Sequence, residues 1–178
     1  MKRDVIAAER GFTLIELLIV VAIIGVLAAL AVPGLMRARI SANEGSAVGS
    51  MRSVMSGQAS YASAGGNGGY ATSFARLATP CPGATQAFIS PDLSTDPSLK
   101  AGFRFVLQPA AASAVGRTDC NTVATQSDYY VTATPLAVAL TGNRAFATNS
   151  EGTIFYDVTG VAPTEAAIAP GGTATPLK

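Results

Sequence analysis

The sequence contains no histidine and no tryptophan among its 178 residues, and only 13% of its residues are charged. Without histidine the chain lacks the usual general base and the commonest metal ligand. Its 12 basic and 11 acidic residues leave a net charge of +1, which produces no field that would attract nucleic acid. These absences predict a protein that is not an enzyme, binds no cofactor, has no histidine-ligated metal and has no nucleic-acid partner.

Hydrophobic residues, in contrast, make up 49% of the chain and are concentrated near its N-terminus. Residues 12–32 carry a single charge, that of Glu16, and as a helix they would span roughly 30 Å, the thickness of a bilayer's hydrocarbon core. They predict a transmembrane helix in a chain that crosses the membrane once. Basic residues outnumber acidic ones ahead of it, which favours a cytoplasmic N-terminus. An ordinary secretory signal is the alternative, because Ala28, Ala29 and Ala31 could imitate its cleavage site.

Glu16 is unusual in this segment, because a carboxylate in a bilayer-spanning helix is costly and needs a partner. No lysine or arginine lies between Glu16 and Arg37, so no cation one helical turn away can neutralise it. If the chain were cut between Gly11 and Phe12, the new α-amino group would be a cation at the correct depth. The alternatives are a glutamate that is protonated or that reaches the membrane surface.

The residues around Glu16 resemble the N-terminal signature of type IV pilins and type II secretion pseudopilins. The resemblance rests on the sequence GFTLIE at residues 11–16, the apolar run that follows and Pro33, and it extends over about residues 2–61. It implies a prepilin peptidase that cuts after Gly11 and methylates the amino group of Phe12. It also implies a homo-oligomeric helical filament in which Glu16 neutralises the Phe12 amine of a neighbouring subunit.

The resemblance further implies how the protein works and where. We expect a prepilin that is inserted in the inner membrane, then polymerised into an extracellular type IV pilus-like filament by an inner-membrane platform and its ATPase. A pseudopilin of a type II secretion system is the alternative within the same family. A membrane-anchored binding module that keeps residues 1–11 is a third possibility.

The order of segments predicts an α+β fold in which one long helix packs on an antiparallel sheet. Residues 1–11 would be the leader and residues 12–33 the transmembrane and filament-core helix, with a kink at Pro33 and Gly34. Residues 34–64 would form its amphipathic half. The apolar stripe predicted for that half comprises Ile40, Ala47, Met51, Val54, Met55 and Tyr61, with Arg37, Arg39, Asn43, Glu44 and Arg52 mostly elsewhere. The glycine-rich run 65–69 would end the helix in a surface loop, and it lacks the Gly-Lys-Ser/Thr ending of a phosphate-binding loop.

The remainder, residues 65–159, is expected to be a loop region followed by a sheet of three or four strands. A short helix is expected at 73–77 and an irregular, proline-rich connection at 80–100. Strands are expected at 103–107, 129–134, 144–148 and 153–158, with turns at 141–143 and 149–152 between them. The last segment, 160–178, is rich in proline and glycine and is expected to be a flexible tail.

Cys81 and Cys120 are the only cysteines, and both lie in the part predicted to be outside the cytoplasm. An even number there predicts a disulfide, which would stabilise the fold by roughly 4 kcal/mol on the chain-entropy model. A redox or nucleophilic cysteine is the alternative. The acidic pairs Asp92 with Asp96 and Asp119 with Asp128 leave a calcium site open, although their spacing does not match a calcium-binding loop and solvated loop acids are the preferred interpretation.

Overall fold

The computed structural model describes residues 11–177, so residues 1–10 of the expected leader, with their charges, and Lys178 lie outside the described part. The chain divides into two compact units, one ending at Ala38 and the other beginning at Arg39. Both units contain part of one long helix, α1 (Leu14–Ala64), which continues through Pro33 and Gly34 as a single helix. Those two residues therefore do not end the helix, and the kink stays a prediction.

The second half of α1 has a buried face, as its amphipathic pattern predicts. Ala47, Met51, Val54 and Tyr61 of the predicted stripe are buried, whereas Ile40 and Met55 are only partly covered. The prediction was wrong for Glu44, which was expected on the polar side but is only 5% exposed. One face of the helix is buried at intervals of three or four positions: Glu44, Ala47, Met51, Val54, Gln58 and Tyr61. Ser50 and Gly57, each adjacent to one of these residues, are buried as well.

The main sheet is antiparallel throughout, which confirms the predicted α+β, type IV pilin-like class. Its central strands are β2 (Phe103–Pro109), β5 (Tyr129–Pro135), β6 (Ala145–Asn149) and β7 (Phe155–Asp157), close to the four predicted ones. β1 (Ser98–Lys100) and β8 (Thr175–Pro176) add short edges, so the order is β1-β2-β5-β6-β7-β8. Phe103, Phe105 and Phe146 of the sheet and Met51 and Val54 of α1 belong to one buried cluster.

The main sheet has six strands instead of the three or four expected, because the short strands β1 and β8 extend its two edges. β1 occupies the end of the proline-rich connection expected to be irregular, which also contains a 3₁₀ turn at Pro91–Leu93. A separate two-stranded sheet of β3 (Val115–Thr118) and β4 (Ala124–Gln126) was not predicted. All of β3 is exposed, so it has none of the apolar alternation from which a strand is predicted.

The C-terminal segment corrects the expectation of a flexible tail. It contains a short helix, α3 (Glu165–Ile168), capped by the Thr164 side chain, and β8, which pairs with β7. Ile168 is 1% exposed and packs with Tyr130 and Ala147 in a second buried cluster. One buried side chain and one strand pairing therefore hold a segment whose proline and glycine content suggested disorder.

The glycine run after α1 is packed more tightly than a surface loop. A methyl group added at Gly65 would lie 2.9 Å from Cys81 Sγ, and one added at Gly69 would lie 2.1 Å from Thr125 Oγ1. Gly68 has a φ of +90°, a backbone angle that glycine adopts readily and that does not occur within an α-helix. Close approach as well as backbone freedom therefore requires glycine here. The next helix, α2 (Phe74–Leu77), lies where the short helix was predicted, with Ser73 as its cap.

Candidate assembly segment

The beginning of α1 is fixed by reciprocal hydrogen bonds between Thr13 and Glu16. The Thr13 backbone N–H and hydroxyl donate to Glu16 Oε2 at 2.9 and 2.7 Å, and the Glu16 N–H donates to Thr13 Oγ1 at 3.2 Å. This is a capping box, in which the residue before the helix and the residue three positions later satisfy each other's backbone groups. The Glu16 carboxylate thus has a local partner in Thr13, an uncharged residue that was not predicted to bind it. The Thr-x-x-Glu spacing at 13–16 is the signal that could have revealed it.

The apolar side chains in the first half of α1 are all exposed. Every residue from Gly11 to Arg39 is exposed, and Leu14 and Leu30 are 80% and 76% accessible. Among the described residues, α1 is the one helix long and apolar enough to cross a membrane. A continuous apolar surface of this length is stable in lipid or against other apolar helices, and not in water.

Gly11 and Phe12 precede the helix and are both exposed, Phe12 by 78%. Among the described residues, a methyl group added at Gly11 would meet no atom within 4 Å, and Gly11 has no positive φ. No contact or backbone angle of the described part of the chain therefore requires glycine at this position.

Residues 6–32 match the model of the family described as "Prokaryotic N-terminal methylation motif". The chain carries a prepilin-type N-terminal segment. It is also similar to the "Type IV major pilin protein PilA" of Myxococcus xanthus (strain DK1622), with 44% identity over 53 residues. That stretch covers 30% of this chain and only 24% of the relative, and no solved structure matches the chain.

The family model matches only residues 6–32 and the similarity to the pilin extends over 53 residues, so most of the chain is to be understood from its own contacts. In the unit that begins at Arg39, α1 makes two contacts with the strands and loops in which a carboxylate accepts hydrogen bonds. One involves Glu44, near the start of the buried half of the helix, and the other Tyr61, near its end. They fix the rotation of α1 against the sheet side of this unit.

Glu44 holds the turn before β6. Its Oε1 accepts hydrogen bonds from the backbone N–H groups of Asn143 and Arg144, at 2.7 and 3.0 Å, and its Oε2 accepts one from Arg144 Nε at 2.7 Å. Burial alone would raise the pKa of the Glu44 carboxyl, but these hydrogen bonds and the Arg144 charge outweigh it, so the pKa is lowered. The carboxylate is therefore held in its charged form.

Asp119 is the centre of the second contact, at the C-terminal end of α1. One of its oxygens accepts hydrogen bonds from Tyr61 Oη, at 2.6 Å, and from Arg76 Nη2, and the other accepts from the Asn121 and Val123 N–H groups. Burial opposes ionisation of Asp119, but its donors lower the pKa on balance. Burial and the bond to Asp119 raise the pKa of Tyr61 to about 12. Asp119 is thus a buried ion and not the solvated loop acid that was expected.

The disulfide lies beside this cluster and confirms the predicted pairing of Cys81 with Cys120. The Cys120 N–H donates to the Gly65 carbonyl at 2.8 Å, so the bridge also fixes the turn at the end of α1.

The other acidic side chains considered as calcium ligands have protein partners. Asp92 pairs with Lys100, and Asp96 accepts from the Phe74 and Ala75 N–H groups. Asp128 accepts from the Tyr129 and Ser150 N–H groups. Within residues 11–177 no group of three or more potential metal-binding side chains is brought together.

Proposed function

We propose that this chain is a structural subunit of a type IV pilus-like extracellular filament. The observation that carries the proposal is the uncovered apolar surface of residues 12–33, nearly all of which lies within the methylation motif matched at residues 6–32. In the proposed pathway a prepilin peptidase cuts after Gly11 and methylates the Phe12 amine. The apolar helices of neighbouring subunits then cover one another in the filament core.

In this proposal the precursor resides in the inner membrane with its N-terminus in the cytoplasm. Moving an apolar helix from lipid into a filament replaces one apolar environment by another, so burial alone gives little net driving force. We infer that an inner-membrane platform and its ATPase supply the work. Pro33 and Gly34 are the proposed position of a bend during this transfer, and the protein's role is assembly and not catalysis.

Glu16 has a specific role in the proposed filament. In the single chain its carboxylate bonds only to Thr13 among the described residues, through one oxygen. The other oxygen is available to the Phe12 amine of a neighbouring subunit. Because an ion pair in an apolar surrounding is strong and directional, this contact would set the register of helices whose remaining contacts are undirected.

A pseudopilin of a type II secretion system is the second candidate, since the motif is compatible with both. The similarity to a protein named as a type IV major pilin favours the pilus. Mass spectrometry of filaments sheared from the cell surface separates the two. An abundant chain that begins at methylated Phe12 supports the pilus, and the same mature chain confined to the envelope supports a pseudopilin. A chain that still begins at Met1 in the envelope would contradict both.

A further inference from the structure

We propose that two uncharged loops in the unit beginning at Arg39 form a surface that rests on the membrane before the subunit is assembled. The inference rests on the proposed membrane-spanning role of residues 12–33. The surface, named here the loop patch, comprises the exposed apolar side chains of the connection between β5 and β6 and of the turn after β7. Its members are Leu136, Val138, Leu140, Val158 and Val161, which are 50–70% exposed.

The two loops of the patch are in contact with each other. A methyl group added at Gly160 would lie 2.5 Å from Val138 Cγ2 and 3.6 Å from Pro135 Cγ. Val138 therefore lies directly against the turn that carries Val158 and Val161. Neither residues 135–143 nor residues 158–164 include a charged side chain. The apolar side chains of the two loops are therefore neighbours rather than scattered exposed residues. The Asp157 carboxylate, which accepts hydrogen bonds from the Thr159 N–H and hydroxyl, lies beside Val158 at the start of the shorter loop.

Part of the backbone of the longer loop is paired within the loop itself, which suits it to an interface with few water molecules. The Thr141 N–H and hydroxyl both donate to the Ala137 carbonyl, at 2.8 and 3.1 Å, and the Ala139 N–H donates to the Gly142 carbonyl at 3.0 Å. Surface loops normally carry polar side chains. This loop instead pairs its polar groups and directs leucine and valine outward, an arrangement that is favourable where lipid receives the side chains.

The chain itself keeps the patch near the membrane. Asn43 of α1 donates from its side-chain amide to the Thr141 carbonyl at 3.0 Å, which fixes the loop to the helix at this level. Asn43 is ten positions from Pro33, so the two residues can be at most about 36 Å apart in any conformation. The patch is therefore tethered within reach of the bilayer surface from which the proposed transmembrane helix would emerge.

Because the chain contains no tryptophan, single tryptophans can test this proposal directly. Leu140→Trp and Val158→Trp place probes in the two loops at exposed positions, and Val115→Trp places a control on the exposed strand β3. The full-length variants would be reconstituted in vesicles of phosphatidylethanolamine and phosphatidylglycerol, with and without brominated acyl chains. We expect a blue-shifted emission and several-fold stronger quenching for the two loop probes than for the control.

The outcomes separate this inference from the proposed function. Flotation of the vesicles reports whether the chain is anchored, and a chain that does not float contradicts the membrane segment and, with it, the loop patch. A chain that floats but shows equal, weak quenching at all three positions overturns the loop patch alone. Emission that shifts with protein density and not with brominated lipid also overturns it, because a second copy would then cover the patch.

Discussion

The two halves of α1 obey different rules although they belong to one helix. From Leu14 to Ala38 every side chain is exposed, and apolar residues occupy all sides. From Arg39 onward one face is buried against the rest of the unit, and this face includes the polar residues Glu44, Ser50 and Gln58 beside apolar ones. The residue pattern of the second half is therefore explained by contacts within the chain. The residue pattern of the first half suits an apolar environment that the chain itself does not provide.

The strongest test of this difference is replacement of Glu16. We expect both Glu16→Gln and Glu16→Ala to abolish filaments while the precursor stays membrane-inserted, because neither side chain neutralises an amine. Glutamine can still form the capping box with Thr13, so the Gln variant isolates the charge from the cap. Electron microscopy of sheared filaments and membrane fractionation are the measurements, with Glu151→Gln as a control on an exposed carboxylate. Normal filaments from Glu16→Gln would show that the carboxylate serves the helix cap only.

Removing the disulfide should affect only the second unit. For Cys81→Ser with Cys120→Ser we expect the free energy of unfolding to fall by about 4 kcal/mol, because the bridge joins positions 39 apart. Urea titration in detergent, followed by the near-ultraviolet circular dichroism of the buried tyrosines, measures this loss. Flotation with vesicles should be unchanged. A double variant that no longer floats would contradict the independence of the first half of α1.

Low pH should weaken the contacts of α1 with the strands and loops of the second unit. The pKa values of Glu44 and Asp119 are lowered from 4.5 and 3.8, so their contribution is complete above those ordinary values and is lost as the pH falls through the lowered ones. Glu44→Gln should cost about 1.5–3 kcal/mol at neutral pH, since it removes a charged acceptor from three hydrogen bonds. It should also flatten the acid limb of a stability profile measured by urea titration. A profile as steep as that of Glu151→Gln would refute the role of Glu44.

The glycines of α1 provide the smallest and most local comparison. A methyl group at Gly57 would lie 2.6 Å from the Phe88 carbonyl oxygen, whereas one at Gly49 would meet nothing within 4 Å. Gly57→Ala should therefore destabilise the chain by about 1–3 kcal/mol, and Gly49→Ala should stabilise it by up to about 1 kcal/mol. Thermal unfolding of the two variants checks both signs. Equal shifts in the same direction would mean that helix propensity alone decides.

Much of the fold could be predicted because its signals are local. The helical spacing of Met51, Val54 and Tyr61 and the alternation of buried and less buried residues in β2 identify faces that pack together. The motif at residues 11–16 is likewise contiguous, and so is the Thr13–Glu16 cap, which could have been predicted from its spacing.

The features that escaped prediction depend on distant partners. Burial of Glu44 is favourable only because the N–H groups of Asn143 and Arg144 meet it, about 100 residues further along the chain. β3 and β4 have weak strand patterns of their own, and a bridge between Tyr70 and Gln126 continues their pairing. In the sequence Asp119 resembles an ordinary loop acid, because Arg76 and Tyr61, which donate hydrogen bonds to it, are distant in the chain. No local pattern marks such residues.

The separation between Glu44 and Arg144 also bears on the order in which the chain folds. Their contact joins residues 100 positions apart, so it cannot form until the chain through Arg144 has been synthesised. Contacts of such long range form late in folding, whereas a helix forms from neighbours in the chain. The first half of α1 needs no later residue for its helical hydrogen bonds. The helix that would anchor the proposed precursor can therefore form before the second unit is complete.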